Sequence, residues 1–292
     1  MGDFKTNLNN QRERFKKVFE DTLDFIASNE LLESFTENTK KNTYIRLGVS
    51  CNDNPAPAGH IYFNIVFVSK SKTLEAALRL HKENPSNKIA ILNFASATNP
   101  GGGVTKGSSA QEESICRCTN LYPRLTTREC MLQFYFRHRD QKNPLHNDDI
   151  IYTPGIIICK SDDGQFRRFN NDEFVTVDVI TCAAPNLRDN PSNDFNHEGT
   201  NSAVNISDED LYKLHLKRAR TILDVAVSQG VEILVLGAFG CGAFRNDPKI
   251  VAKAYRDALK TYWHYFKEIE FAIFCKGYET ENYDAFAELF GE

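Results

Sequence analysis

The chain has 292 residues, 41% hydrophobic, 25% charged and 11% aromatic, and its 35 basic and 39 acidic side chains leave a formal net charge of −4. That is enough for one large domain or two small ones with a full apolar core, and too aromatic and too balanced in charge for disorder. No run approaches the roughly 18 apolar residues of a membrane span, MGDFKTNLNNQRERFKK has no stretch suited to a signal peptide, and the acid excess argues against general nucleic-acid binding.

Across residues 11–35 the apolar positions Phe15, Val18, Phe19, Leu23, Ile26 and Leu31 recur at helical spacing, which predicts one amphipathic helix. SCNDNPAPAG is turn material, HIYFNIVFV a strand, and TLEAALRLHKE a short helix capped by Thr73. KIAILNFA is a fully buried strand, followed by a small, glycine-rich segment over 96–110 and a helix from near Gln111. DDIIYTPGIIIC and FVTVDVITCAAP are strands, and the polar stretch 186–207 is a long surface loop. A helix over 208–229 closes at Gly230, EILVLGAF is another buried strand, and a second glycine loop leads into a helix with Pro248 in its first turn. EFAIFC and YDAFAELF add a last strand and a last helix.

Buried strands alternating with helices predict a three-layer α/β/α fold around a mostly parallel, mixed sheet. The expected division is a helical extension over 1–45, packed on the α/β/α domain over 46–292. In such sheets ligands bind beyond the carboxyl ends of the strands, where both glycine loops fall, so the two can face one crevice.

The eight cysteines form no CxxC pair. Cys159, Cys182 and Cys275 lie in strand-like runs as small buried hydrophobes, and the expected compartment is reducing and intracellular, cytoplasmic or nuclear. Cys116, Cys118 and Cys241 offer too few ligands for a metal, and the seven histidines are scattered, most of them expected at the surface or in caps. No metal and no cofactor is predicted.

The first loop is Asn99-Pro100-Gly101-Gly102-Gly103. Consecutive glycines let a backbone approach a ligand closely and turn its N–H groups inward, and Asn99 can donate to and accept from a sugar hydroxyl; a bare glycine triplet is also an ordinary turn. The second loop, GAFGCGAFRNDP, joins a buried strand to a helix, the geometry that binds phosphate. It lacks the Gly-Lys-Ser/Thr of a Walker loop and the order of a Rossmann fingerprint. Two such loops facing each other favour a diphosphate-bearing nucleotide. Past the first loop comes Gln111-Glu112-Glu113-Ser114, either a helix start with acidic residues favoured by the macrodipole or the seat of a general acid. Adjacent helical residues point about 100° apart, so only one of the two glutamates can be that acid.

Together, GGGVTKGSSAQEES resembles the signature of poly(ADP-ribose) glycohydrolases, a glycine triplet followed by Gln-Glu-Glu. LEAALRL, ITCAAPN and GAFGCGAFRNDP extend the likeness to the compact bacterial-type branch over nearly the whole chain. The resemblance implies the macrodomain fold and hydrolysis of the ribose–ribose O-glycosidic bond of poly(ADP-ribose) to release ADP-ribose. It implies Glu113 as general acid and then base, and Glu112 as a residue that positions substrate. Gly101, Gly102 and Gly103 would pack on the distal ribose and diphosphate, Asn99 would meet a ribose hydroxyl, and Gln111 would complete the substrate-binding signature. Gly240, Cys241, Gly242, Ala243 and Phe244 would form the second phosphate loop, Phe244 near the scissile ribose, and Thr73 is assigned to adenine. SKSK after the first strand and Cys241 inside the phosphate loop depart from the family pattern. The partners implied are poly(ADP-ribose) or ADP-ribosylated proteins as substrate and ADP-ribose as product, acted on by a monomer without membrane or general nucleic-acid contacts. The rival readings are a mono-ADP-ribosyl hydrolase, a non-catalytic ADP-ribose-binding macrodomain, against which an intact QEE argues, and a nucleotide-binding enzyme of another fold. A chain of net charge −4 that takes a polyanion must grip it through backbone N–H groups, with weak salt dependence.

Overall fold

The computed structural model describes residues 2–48, 62, 65–190 and 204–291, with residues 2–8 and 39 described by backbone alone. Two helices stand where the apolar spacing predicts one, α1 (Gly2–Ser28) and α2 (Glu30–Lys40). The break falls at Asn29, whose side-chain oxygen accepts from the Leu32 amide at 3.0 Å, as asparagine does when it starts a new helix instead of continuing one. A short strand that the sequence pattern did not announce, β1 (Tyr44–Arg46), follows. SCNDNPAPAG lies outside the described residues, and the described part of HIYFNIVFV belongs to β2 (Ile65–Ser69).

In α3 (Thr73–Glu83) the cap position is Lys72 and Thr73 is the first helical residue. The Thr73 hydroxyl is not a cap because it accepts from Gln111 Nε2 at 3.1 Å. The glycine-rich segment links β3 (Ile89–Phe94) to α4 (Gln111–Cys118). Next come α5 (Tyr122–Leu125) and α6 (Arg128–Cys130), which runs through a π turn into α7 (Phe136–Gln141). β4 (Ile150–Ile158), β5 (Val175–Cys182), α8 (Asp208–Ser228), β6 (Ile233–Leu236), α9 (Pro248–Tyr262), β7 (Glu268–Ala272) and α10 (Glu281–Phe290) complete the chain. Because β7 ends at Ala272, Cys275 sits half-exposed in a loop and not in a strand, whereas Cys159 and Cys182 are buried. The predicted surface loop lies mostly outside the described residues, and Asn186 at its start is buried.

The strands form one mixed sheet of order β1-β4-β5-β3-β6-β7-β2, parallel from β5 through β2 and antiparallel at β4 and β1. Alternation along β3 divides the core: Ala90 and Leu92 face a layer with residues of α8, α9 and α10, while Ile89 and Ile91 face α3 and α4. The result is the expected α/β/α sandwich. Among the described residues no helix is long and apolar enough to cross a membrane.

The N-terminal helices lie on the α4 side. Lys160, fully buried, donates to Asp21 Oδ2 at 2.6 Å and Thr22 Oγ1 at 2.7 Å, and Phe19 meets Tyr122 edge-on at 4.9 Å. Arg117, also buried, donates to the Ser108 carbonyl and lies 4.3 Å from the Phe15 ring centre. Gly107, at φ +71°, backs directly onto the Arg12 carbonyl, where no side chain fits. α1 is thereby laid against the segment that carries the first glycine loop.

Candidate active site

β3 and β6 are neighbours in the sheet, so the loops that leave their carboxyl ends stand side by side. Between them opens a cavity of about 960 Å³, at the upper end of the range that holds nucleotide-sized ligands.

The floor is built by Gln111. Its Oε1 accepts from the Phe94 amide at 2.9 Å, and its Nε2 donates to the Leu92 carbonyl at 2.7 Å and to Thr73 Oγ1. A side-chain amide thus pairs with the end of β3 much as another strand would, and fixes where α4 begins. Gln111 and Thr73 both line the cavity, yet the polar atoms expected for substrate and adenine are spent on each other and on the backbone.

With α4 fixed, Glu112 and Glu113 are buried at the cavity wall. Glu112 Oε2 accepts from the Ser96 amide at 2.7 Å, and Asn93 Nδ2 lies 3.4 Å from Oε1. Burial drives the Glu112 carboxyl well above the usual carboxylate range; the adjacent Glu113 charge adds to this, and hydrogen bonds from Ser96, Asn93 and Gly101 oppose it. Glu113 Oε1 accepts from the Gly103 amide at 2.8 Å.

The glycine triplet has a use that the sequence did not suggest. A Cβ on Gly102, which sits at φ +59°, would lie 2.5 Å from Glu113 Oε1 and 3.1 Å from Glu112 Oε2. A Cβ on Gly101 would lie 2.8 Å from the Tyr122 ring, and one on Gly103 would overlap Ser108. These glycines make room first for the protein's own carboxylates and packing. Gly102 and Gly103 line the cavity; Gly101, buried, does not. Asn99 lines it too, and its Nδ2 donates to the Gly102 carbonyl, closing the turn.

In the second loop Gly240 takes φ +82°, and a Cβ there would lie 2.7 Å from Asn246 Nδ2. Asn246 is the loop's brace: Nδ2 donates to the Pro185 and Gly240 carbonyls at 2.7 and 3.0 Å, and Oδ1 pairs with His215 Nε2 at 2.8 Å. A Cβ on Gly242, by contrast, would meet no atom within 4 Å. Gly240, Gly242, Ala243 and Phe244 line the cavity. Cys241 does not; it packs toward the core, and burial pushes its thiol up, away from reactivity.

The histidines correct the surface expectation. His138 and His215 are buried, and burial lowers His215 to about 4. His146 lines the cavity with its ring centre 6.3 Å from that of Phe244. Sequence reasoning also missed Arg12 and Phe15 of α1, Phe94, Arg188 and Phe274, all on the cavity wall. Only the amphipathic pattern of α1 hinted at any of them. Among the described residues no group of three or more His, Cys, Asp or Glu is arranged to hold a metal ion.

A nucleotide-sized cavity at the carboxyl ends of an α/β/α sheet, with two buried carboxyls converging on a glycine turn, defines a macrodomain-like hydrolase. The description "Microbial-type PARG, catalytic domain" fits residues 9–161, and the chain belongs to that family of poly(ADP-ribose) glycohydrolases. Among solved structures, the poly(ADP-ribose) glycohydrolase of Thermomonospora curvata is similar over 95% of this chain and 100% of that one, at 27% identity and a TM-score of 0.76. The same enzyme bound to the inhibitor ADP-HPD aligns with a TM-score of 0.74 at 27% identity, over 94% of this chain and 99% of that one. The Deinococcus radiodurans enzyme in complex with ADP-ribose aligns at 28% identity and a TM-score of 0.69, over 87% of this chain and 95% of that one. No curated protein sequence matches significantly.

Proposed function

We propose that this poly(ADP-ribose) glycohydrolase cleaves the ribose–ribose O-glycosidic bond with Glu113 as its acid and base. The observation that carries the assignment is the Gly103 amide on Glu113 Oε1: it ties the carboxyl to the glycine turn on the cavity wall and fixes one oxygen, and the other is the one assigned to substrate. An acetal C–O bond is stable until its leaving oxygen is protonated. Glu113 gives its proton to that oxygen as the bond breaks and the anomeric carbon gains oxocarbenium character. Water then adds to that carbon, and the Glu113 carboxylate takes the water's proton, which restores the acid.

Glu112 is a positioning residue. Its oxygens are taken up by Ser96 and Asn93, and burial favours its uncharged form, so it sets the turn that presents Glu113. Gln111 fixes α4 in the same sense. Gly240, Gly242, Ala243 and Phe244 form the wall for the diphosphate and the distal ribose, gripped through backbone N–H groups; Cys241 serves by packing. Asn99, Gly102 and Gly103 form the opposite wall, and Thr73 lies on the adenine side. The substrate is poly(ADP-ribose) or ADP-ribosylated protein, the product ADP-ribose, and the enzyme works as an intracellular monomer without membrane or general nucleic-acid contacts. The unpaired thiols among the described cysteines support a reducing compartment.

The test is incubation with poly(ADP-ribose). Free ADP-ribose is expected from the natural chain and not from Glu113→Gln, while calorimetry shows both binding ADP-ribose. A polymer left intact by the natural chain overturns the reading; loss of ADP-ribose binding in the variant makes Glu113 structural.

A further inference from the structure

The cavity wall carries cations that the chemistry above does not use, and Arg188 is one of them. Arg188 follows the carboxyl end of β5, outside both glycine loops, and is half-buried. Its guanidinium carbon lies 5.7 Å from the Phe244 ring centre. Its Nε donates to Asn186 Oδ1 at 3.0 Å, and Asn186, itself buried, is held by its own amide on the Pro144 carbonyl at 2.8 Å. The neighbouring Leu187 amide donates to the Phe244 carbonyl at 2.9 Å, which ties the two segments together. The guanidinium is therefore fixed at its base.

Its far end is unspent. Among the described residues its two Nη nitrogens take no hydrogen bond, and no carboxylate pairs with it. The adjacent acid, Asp189, is engaged by Arg245. Burial lowers the pKa of Arg188 and the Arg245 charge lowers it further, with no anion to offset either. A half-buried guanidinium with open Nη groups and no counter-charge is costly unless an anion completes it.

We propose that Arg188 binds a phosphate of the polymer unit on the leaving side of the scissile bond. The inference rests on the function proposed above. In that reading the second glycine loop already offers backbone N–H groups to the terminal diphosphate, and Arg188 stands against Phe244, the residue assigned to the ribose whose bond is cut. The leaving oxygen is the 2′ hydroxyl of the next adenosine, and the 5′-phosphate on that same ribose is the nearest anion past it. ADP-ribose on a serine or a glutamate side chain has no phosphate there. Arg188 thus favours polymer over a singly modified protein, and it makes polymer recognition salt-dependent while ADP-ribose binding stays nearly salt-independent.

The experiment compares Arg188→Ala and Arg188→Lys with the natural chain, using poly(ADP-ribose) of fixed length and free ADP-ribose. For Arg188→Ala, KM for polymer is expected to rise about tenfold, as for loss of one charge-assisted contact, with kcat and the Kd for ADP-ribose within about twofold. The log–log salt slope of polymer binding should fall by about one, and Arg188→Lys should recover most of the affinity. An equal loss of ADP-ribose affinity overturns the leaving-side assignment and gives the cation to the terminal unit. No change for either ligand overturns it as well. Polymer and ADP-ribose binding measured on Glu113→Gln, with and without Arg188→Ala, tests the subsite even if hydrolysis fails, so the two proposals can fall separately.

Discussion

The two glycine loops look alike in sequence and are built for different neighbours. In the first, the missing side chains of Gly101, Gly102 and Gly103 accommodate Tyr122, the two catalytic-site carboxyls and Ser108. In the second, Gly240 accommodates Asn246, but a methyl on Gly242, which lines the cavity, would meet no atom within 4 Å. One loop uses glycine to bring the chain against itself, and the other also leaves open space at a position that lines the cavity. A glycine-rich motif therefore does not say by itself which of the two it serves.

Substitutions can break or sharpen that contrast. The largest effect is expected at the group the first loop presents: Glu113→Gln should lower the rate of polymer cleavage by about a thousandfold, within the range for loss of a general acid, as read from ADP-ribose release. Glu112→Gln should cost less, because burial already favours the uncharged acid there. Gly102→Ala should cost about 3 kcal/mol of stability, combining a left-handed backbone with an overpacked site, and activity should fall with it; an alanine that leaves both the melting temperature and the rate intact would sink the account of this loop.

The brace behind the second loop gives a pH signature. His215 is neutral in the folded protein with a pKa of about 4, against its ordinary 6.5. The unfolded chain takes up a proton below 6.5 that the folded chain refuses, so this contribution is complete above 6.5 and is lost as pH falls toward 4. The loss is about 1.4 kcal/mol per pH unit in that window, and His215→Gln should flatten the corresponding stretch of a melting-temperature curve. The smallest structural effect belongs to Gly242→Ala: stability within about 0.5 kcal/mol, with a several-fold weaker Kd for ADP-ribose by calorimetry. If it instead unfolds the protein as Gly102→Ala does, the two loops are not different in kind.

Much of this was legible from the residues. Buried apolar runs located β3, β5 and β6, the boundary residues Gly230 and Pro248 marked α8 and α9, and the order of elements placed both loops at carboxyl strand ends. The spacing of GGG and QEE singled out the glutamates. What the residues left open was set by contacts distant in sequence. Asn29 splitting the first helix, and Thr73 losing its cap role to Gln111, are choices between two local hydrogen bonds that the pattern leaves open. His138 and His215 look like surface histidines until α7 and α8 turn them inward.

The sequence by itself determined the α/β/α layering, because periodicity dictates which faces must be buried, and it named the residues able to move a proton. Only the tertiary structure decided their duties. It consumed Gln111 in holding α4 to β3, turned Cys241 away from the cavity, gave Gly102 to the carboxyls, and set the Arg188 guanidinium over Phe244. A side chain's polar atoms are spent on whichever partners the fold brings within hydrogen-bond reach, and that distance is a property of the packed chain, not of its order.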